Sequence, residues 1–416
     1  MALNILHTAD WHLGQTFFNY DRTLEHKAFL QWLLDTIASE AIDVLLIAGD
    51  VFDVANPSAV AQQMYYAFLQ ELKTRFSHVQ VVVIAGNHDS PSRLETTNAI
   101  LESMGVHVVG KVNRLENREI DTASHIIPLY DAAGNKQAYC LAVPFVRQGD
   151  YLHATREQEI SYAEGVLQIY KELTNAALAK EDGLPLIATG HMHVLGSETS
   201  ADDNSERAIM GGLEYVNADQ FDEAISYLAL GHIHKSQRID RRGIVRYAGS
   251  PLPMSFSEIG YAHQVLKLTI DGNATIEPQK IAIPLFAPLV RIPAKPEPLD
   301  MVLEQLRDWS FDASSFVDAP YLEVRVLNTE PNPTMRYQIE EALKDKTCKL
   351  ARISVHNPNI DEAFSDFEQL ENESLDIDPG VLLTDYYRRK YGEEIPQDMQ
   401  LLFEEILTEA YATQED

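Results

Sequence analysis

Residues 80–89 read Gln-Val-Val-Val-Ile-Ala-Gly-Asn-His-Asp, an apolar β-branched run that stops at glycine and three polar side chains. A run this short, bounded by turn residues, reads as a buried strand that delivers its polar cluster to the end of a sheet. The same grammar recurs on either side. Asp43–Ala48 runs into Gly49-Asp50, with Asp53 three residues on, and Leu3–His7 runs toward Asp10-Trp11-His12. Further along, Leu186–Thr189 closes on Gly190-His191, and Tyr227–Leu230 closes on Gly231-His232-Ile233-His234. Tyr139–Val143 and Val245–Ala248 complete the strands. Between them Asp21–Glu40 and Pro57–Phe76 carry apolar residues near helical spacing. Strands alternating with helices predict an α/β layered fold whose polar residues gather where strands end.

The gathered side chains are chemically mixed. Two aspartates, an asparagine and several histidines suit Mn²⁺, Fe²⁺ or Zn²⁺ better than Ca²⁺, which takes all-oxygen shells. On extended backbone, side chains two apart share a face, so His232 and His234 are expected to meet one cavity, as are Asp10 and His12. Glycine ahead of the donors lets the backbone turn and approach an ion. Spacing alone leaves His88 open as a ligand, leaves His193 as a rival to His191, and leaves Asp53 equally a helix cap before Pro57.

The 416-residue chain suggests two or three domains, and 45% hydrophobic against 23% charged residues is an ordinary globular balance. Lys+Arg 33 against Asp+Glu 63 leaves a net charge of −30, which excludes coating nucleic acid by bulk charge. Contact with DNA then has to be local, through metals or a few cations, with Arg22, Arg93, Arg147, Lys235 and Arg238 flanking the polar loops. Two cysteines, Cys140 and Cys348, support neither a disulfide framework nor a thiolate zinc site. Met1–Asp10 reads as strand and polar loop rather than a leader, and no apolar run is long enough for a membrane, so a cytoplasmic protein is expected.

The expected organisation has three parts. Residues 1–283 form the layered domain. Residues 284–355 form a small α+β unit of about 70 residues, entered through the proline-rich stretch Leu285–Pro298 with a strand at Leu289–Ile292. Residues 356–416 form an acidic tail, with 17 acidic and three basic residues from Val355 onward. Leu382–Tyr391 and Met399–Tyr411 are amphipathic helix candidates there, with an apolar face suited to a partner helix.

The ordered series Asp10-x-His12, Gly49-Asp50, Gly86-Asn87-His88-Asp89, His191 and Gly231-His232-x-His234 resembles the signature of the calcineurin-like metallophosphoesterases. The surrounding ILHTADWHLGQ, IAGDVFD, GNHDS, ALGHIH and YAGSPLPMSF resemble the double-strand-break repair nucleases of that superfamily, typified in bacteria by the SbcCD complex. The resemblance is good over residues 1 to about 260 and looser beyond. It implies a four-layer β-sandwich flanked by helices, a small capping domain for DNA and a helical tail. It also implies two divalent ions, Mn²⁺ first, with Mg²⁺, Fe²⁺ or Zn²⁺ as alternatives. Asp10, His12, Asp50 and His234 would hold one ion, and Asp50, Asn87, His191 and His232 the other, with Asp50 bridging. His88 would then be the catalytic non-ligand that protonates the leaving group, oriented by Asp89. The implied activity is a double-strand 3′–5′ exonuclease and single-strand or hairpin endonuclease. The implied partners are DNA and an SbcC-like coiled-coil ATPase, in a heterotetramer containing a homodimer formed through helices near Asp53–Phe76 and Ser92–Met104. Two rival readings are a stand-alone phosphoesterase acting on nucleotides or phosphoproteins, and a non-catalytic scaffold for the ATPase.

Overall fold

The computed structural model describes residues 2–151, 160–199, 215–272, 274–313, 315–328 and 332–357, with a few isolated residues between 383 and 403. The chain begins β1 (Leu3–Thr8), β2 (Thr16–Phe17), β3 (Tyr20–Asp21), α1 (Thr23–Ser39), β4 (Val44–Ala48), α2 (Ala59–Arg75), β5 (Gln80–Ile84), α3 (Pro91–Glu95), α4 (Asn98–Ser103) and β6 (Val106–Val109). It continues α5 (Thr122–His125), β7 (Ile126–Tyr130), β8 (Lys136–Ala142), α6 (Tyr162–Leu178), β9 (Leu186–His191), β10 (Ile225–Gly231), β11 (Gln237–Arg238) and β12 (Val245–Tyr247). It closes with β13 (Gln264–Asp271), β14 (Ala274–Ala282), β15 (Leu289–Pro298), α7 (Leu299–Asp308), β16 (Tyr321–Leu327), α8 (Met335–Ala342) and β17 (Lys349–His356).

Two six-stranded sheets face each other, one ordered β14-β13-β1-β4-β5-β6 and the other β11-β12-β10-β9-β8-β7. Their inner faces share one apolar layer, in which Leu3, Ile5, Leu46 and Val82 meet Cys140, Ile187, Tyr227 and Ala229. Helices α1 and α2 cover the outer face of the first sheet through Phe29, Leu33, Tyr65 and Leu72. Helix α6 covers the second through Val166, Ile169 and Leu173. Strands buried on both faces need apolar residues at every position, which is why β4 and β5 read as unbroken runs rather than alternations.

Within each sheet the site-bearing strands run parallel to their neighbours: β1-β4-β5 in the first, and β9-β10, flanked by β8 and β12, in the second. Their carboxyl ends therefore open on one edge of the sandwich. Sequence patterning does not single out α6, β13 or β14. In α6, Gly165 interrupts the apolar stripe because the Tyr151 ring lies 2.3 Å from where a Cβ would stand.

A third sheet, β15-β16-β17, is wholly parallel, with α7 and α8 as its crossovers and a core of Val302, Leu306, Leu322, Val324 and Ile339. Its first strand differs from expectation. The prolines of Leu285–Pro298 suggest a linker around a short strand, yet β15 extends from Leu289 to Pro298 with a register break between Ile292 and Glu297. As an edge strand, β15 needs N–H donors on one side only, so proline is tolerated there. The tail's helix candidates fall outside the described residues, apart from helical 383–384, 387–388, 399–400 and 402–403. Among the described residues no helix is long and apolar enough to cross a membrane.

Candidate metal centre

Five loops build the site. The loop after β1 carries Asp10 and His12, with Trp11 between them as an anchor. Its ring packs edge-on against Phe29 and Phe68, and its Nε1–H donates to Thr8 Oγ1 at 3.0 Å. The loop after β4 is strapped to it: Asp10 N–H donates to the Gly49 carbonyl (3.1 Å) and His12 N–H to the Asp50 carbonyl (3.0 Å). Asp89 ties the loop after β5 into the same block, accepting from the N–H groups of Val51, Phe52 and Gly86 at 2.9–3.1 Å. From the second sheet come His191 at the end of β9, and His232 and His234 after β10.

The backbone is strained where the donors sit. Asp10, His12, Asp50 and His232 all have positive φ, at 53°, 46°, 48° and 100°. Such conformations in residues with side chains cluster at functional sites, where surrounding contacts over-determine them. The His232-x-His234 stretch is therefore not extended, and its two rings diverge: His232 stacks edge-on to His191, and His234 to His12. Gly49, at φ 91°, makes the turn expected of glycine, whereas two others serve a different purpose. Gly86 and Gly231 stand where a Cβ would lie 2.1 Å from Asp50 Oδ1 and 2.1 Å from the Ala48 carbonyl, so Gly86 admits the neighbouring loop of its own sheet and Gly231 the close approach of the opposing sheet.

All seven expected donors converge. Asp10, His12 and His234 offer atoms within 4.8 Å of one another, as do Asp10, Asp50 and His191. Asp50 Oδ2 lies 3.6 Å from His12 Nε2 and 3.2 Å from His191 Nε2, reaching toward both groups. Asn87 Oδ1 stands 2.9 Å from His191 Nε2 and 3.1 Å from His232 Nδ1. His88 lies at the rim, only partly buried, its Nδ1 2.7 Å from the Asp53 carbonyl and its ring edge-on to His12. His193 sits behind, its ring against His232 and Tyr215.

The electrostatics fit a cation. Burial alone would lower His191, but the carboxylates of Asp50 and Asp10 and the Ala48 carbonyl lift it to about 9. With Nδ1 facing the Ala48 carbonyl at 2.9 Å and Nε2 facing Asp50 and Asn87 oxygens, the ring is surrounded by acceptors and holds a second proton where a metal would stand. Burial would also raise Asp50, yet His191, His12 and His88 hold it well below the carboxylate range. Asp10 is pushed up to about 7 by burial. Asp10 Oδ2 and His12 Nε2 are buried with no hydrogen-bond partner among the described residues. Buried lone pairs without a proton donor are costly unless a cation takes them, so the residues present fit divalent metal ions.

Three expectations change. Asp89 does not orient the His88 ring; its carboxylate is spent on loop N–H groups, and the Asp53 carbonyl holds His88. Asp53 is not the cap of α2, a role taken by Ser58, whose side chain accepts from Ala61 N–H. Instead an Asp53 oxygen lies 3.3 Å from His12 Nδ1 and orients that ring. Arg22 does not flank a DNA path: it is 1% exposed, paired to Glu25 and bonded to the Pro253 carbonyl. One buried acid near the donors escapes sequence reading altogether. Glu258 lies two residues beyond the last recognisable motif and has no spacing to mark it.

A double sheet that gathers aspartate, asparagine and histidine at its parallel strand ends is the architecture of a metal-dependent phosphoesterase. The calcineurin-like phosphoesterase pattern matches residues 3–236, and a pattern described as "Type 5 capsule protein repressor C-terminal domain" matches residues 285–391. The chain is similar to SbcD, the D component of the nuclease SbcCD, from Rhodobacter capsulatus: the two are 37% identical over 361 residues, covering 86% of this chain and 88% of that one. The protein of the same name from Escherichia coli K12 is 33% identical over 323 residues (76% and 77%), and that from Bacillus subtilis 30% over 411 (97% of each). The chain belongs to the calcineurin-like phosphoesterases and, within them, to the SbcD family of SbcCD nucleases.

Proposed function

We propose that this chain is the Mn²⁺-dependent nuclease subunit of an SbcCD-type complex acting in DNA repair, recombination and replication. It would degrade double strands 3′–5′ as an exonuclease and cut single strands and hairpins as an endonuclease. Family membership carries the nuclease and the phosphodiester substrate. The observation that carries the chemistry is the convergence of Asp10, His12, Asp50, Asn87, His191, His232 and His234 beside a rim histidine.

In this reading Asp10, His12, Asp50 and His234 hold one ion, and Asp50, Asn87, His191 and His232 the other. Two such ions, when bound, would supply charge neutralisation of the scissile phosphate and a nucleophile from water at neutral pH. The chain's own residues do the rest. Asp53 and Ala48 fix His12 and His191 through their Nδ1 atoms. The Asp53 carbonyl accepts from His88 Nδ1–H, so Nε2 is the nitrogen that would carry a second proton and give it to the leaving oxygen. The β15-β17 unit acts as the DNA cap. The acidic tail binds the coiled coil of an SbcC-like ATPase, and a homodimer within a heterotetramer forms through α2, α3 and α4. Val60 and Ile100, apolar and 49% and 66% exposed, support that contact face. A cytoplasmic, nucleoid-associated location goes with this role.

The test is cleavage of an end-labelled duplex and a hairpin by wild type and His88→Ala, with Mn²⁺ or Mg²⁺. Mn²⁺-dependent cutting that disappears in the variant is expected. A wild type that cuts neither DNA, with or without its ATPase, but hydrolyses a simple aryl phosphodiester would overturn the nuclease reading.

A further inference from the structure

His12 and His191 each have a second nitrogen held by a neighbour, Asp53 and Ala48 respectively, and His234 has an acid in the same place. Glu258 Oε1 lies 3.4 Å from His234 Nδ1, with the two side chains 0% and 2% exposed. The other Glu258 oxygen accepts from Met254 N–H at 3.0 Å, closing a short loop over residues 254–258. The contact is electrostatic and lies outside hydrogen-bond geometry; a carboxylate so placed favours the proton on Nδ1 and leaves the Nε2 lone pair for a metal.

The same short loop is clamped on both sides by contacts that lead to the third sheet. Arg291, in β15, donates from Nη2 to the Phe256 carbonyl at 2.9 Å. Tyr321, in β16, donates its hydroxyl to Glu25, which pairs with Arg22, and Arg22 Nη1 donates to the Pro253 carbonyl at 2.7 Å. The Phe256 ring is buried with Phe17, Ala287 and Tyr321, sealing the joint with apolar contact. Residues 253–258 thus touch a candidate metal ligand on one side and the β15-β17 unit on the other.

We infer that Glu258 is the positioning residue of His234, and that the β15-β17 unit sets the metal centre's geometry through it. The inference rests on reading this cluster as a metal centre. A displaced second unit would shift the carbonyls of Pro253 and Phe256, and with them the carboxylate that aims His234.

Mn²⁺ titrated calorimetrically into the full chain, with selectively ¹⁵N-labelled histidine spectra of the metal-free form, decides it. Glu258→Ala is expected to weaken one of two Mn²⁺ sites by about 10–100-fold and to shift His234 away from the Nδ1–H tautomer. Glu258→Gln, whose amide oxygen can still accept from Nδ1–H, falls between and serves if the alanine variant does not fold. Arg291→Ala combined with Tyr321→Phe is expected to weaken the same site, and to add nothing in the Glu258→Ala background, because both act through one carboxylate. Wild-type Mn²⁺ affinity in both Glu258 variants, or an unchanged tautomer, overturns the assignment. Full additivity with the double variant overturns the link to the third sheet. A wild type that binds no Mn²⁺ overturns the metal-centre reading instead, and the tautomer measurement then decides Glu258 alone.

Discussion

Asp50 and His88 are 38 residues apart yet joined directly, since the His88 N–H donates to Asp50 Oδ1 at 2.9 Å. Their side chains nonetheless have separable tasks. Asp50→Ala removes the carboxylate oxygen that lies 3.6 Å from His12 Nε2 and 3.2 Å from His191 Nε2, so Mn²⁺ binding and cleavage should be lost together. His88→Ala should keep two Mn²⁺ bound and lower the cleavage rate by about 10²–10⁴-fold, the usual value of a placed acid; loss of a metal in that variant would make His88 a ligand. The site also sets a pH dependence. Asp10 and His191 have folded-state values raised to about 7 and about 9, so each stabilises the metal-free fold at lower pH and loses that contribution as pH rises through those values. Mn²⁺ bound there would displace both protons, so its stabilising effect should grow over the same range. Melting temperatures with chelator and with Mn²⁺ should accordingly differ more at about pH 8.5 than at about pH 6; equal differences would contradict it. Which donors to suspect was legible residue by residue, because each stands directly after an apolar strand. The work of Asp53, Asp89 and Arg22 was not, since a lone acid or arginine carries no pattern until its neighbours are known.

Strand β5 and its loop show how an element serves the site. The strand delivers Gly86, Asn87, His88 and Asp89 together, and only glycine fits at 86, where a Cβ would meet Asp50 Oδ1 at 2.1 Å and Asp50 N at 2.4 Å. Gly86→Ala should destabilise the protein by about 1–3 kcal/mol through overpacking and weaken Mn²⁺ binding by displacing Asp50. Gly149→Ala, with nothing within 4 Å and no unusual φ, is the control expected to change neither, with urea unfolding as the measurement. The positions of β1, β4 and β5 were legible because buried parallel strands are short, apolar and punctuated. The length of β15 was not, because its prolines speak against a strand until its edge position is known. Helix α6 escaped because its interior Gly165 makes room for Tyr151, a contact no periodicity records.

Across the whole molecule, the net charge of −30 and the disposition of its cations limit how it meets DNA. Of the five cations near the loops, Arg22 is consumed internally and Lys235 is paired with Glu198. With Arg93, Arg147 and Arg238 left in that set, the isolated chain should show a salt slope for duplex binding no steeper than about −3. Addition of the ATPase should steepen the slope and raise affinity. A slope of the isolated chain near that of a strongly basic binder would mean that cations elsewhere grip the duplex. The sequence by itself determined the strand-and-loop grammar, the polar clusters at the strand ends and the superfamily, because all of these are written in neighbouring residues. Only the tertiary structure decided that the His232-x-His234 stretch is not extended, that glycine at 231 admits the opposing sheet, and that Glu258 joins His234 to the third sheet. Those facts depend on how two sheets pack and a third unit docks, contacts between residues tens or hundreds of positions apart whose geometry no local pattern encodes.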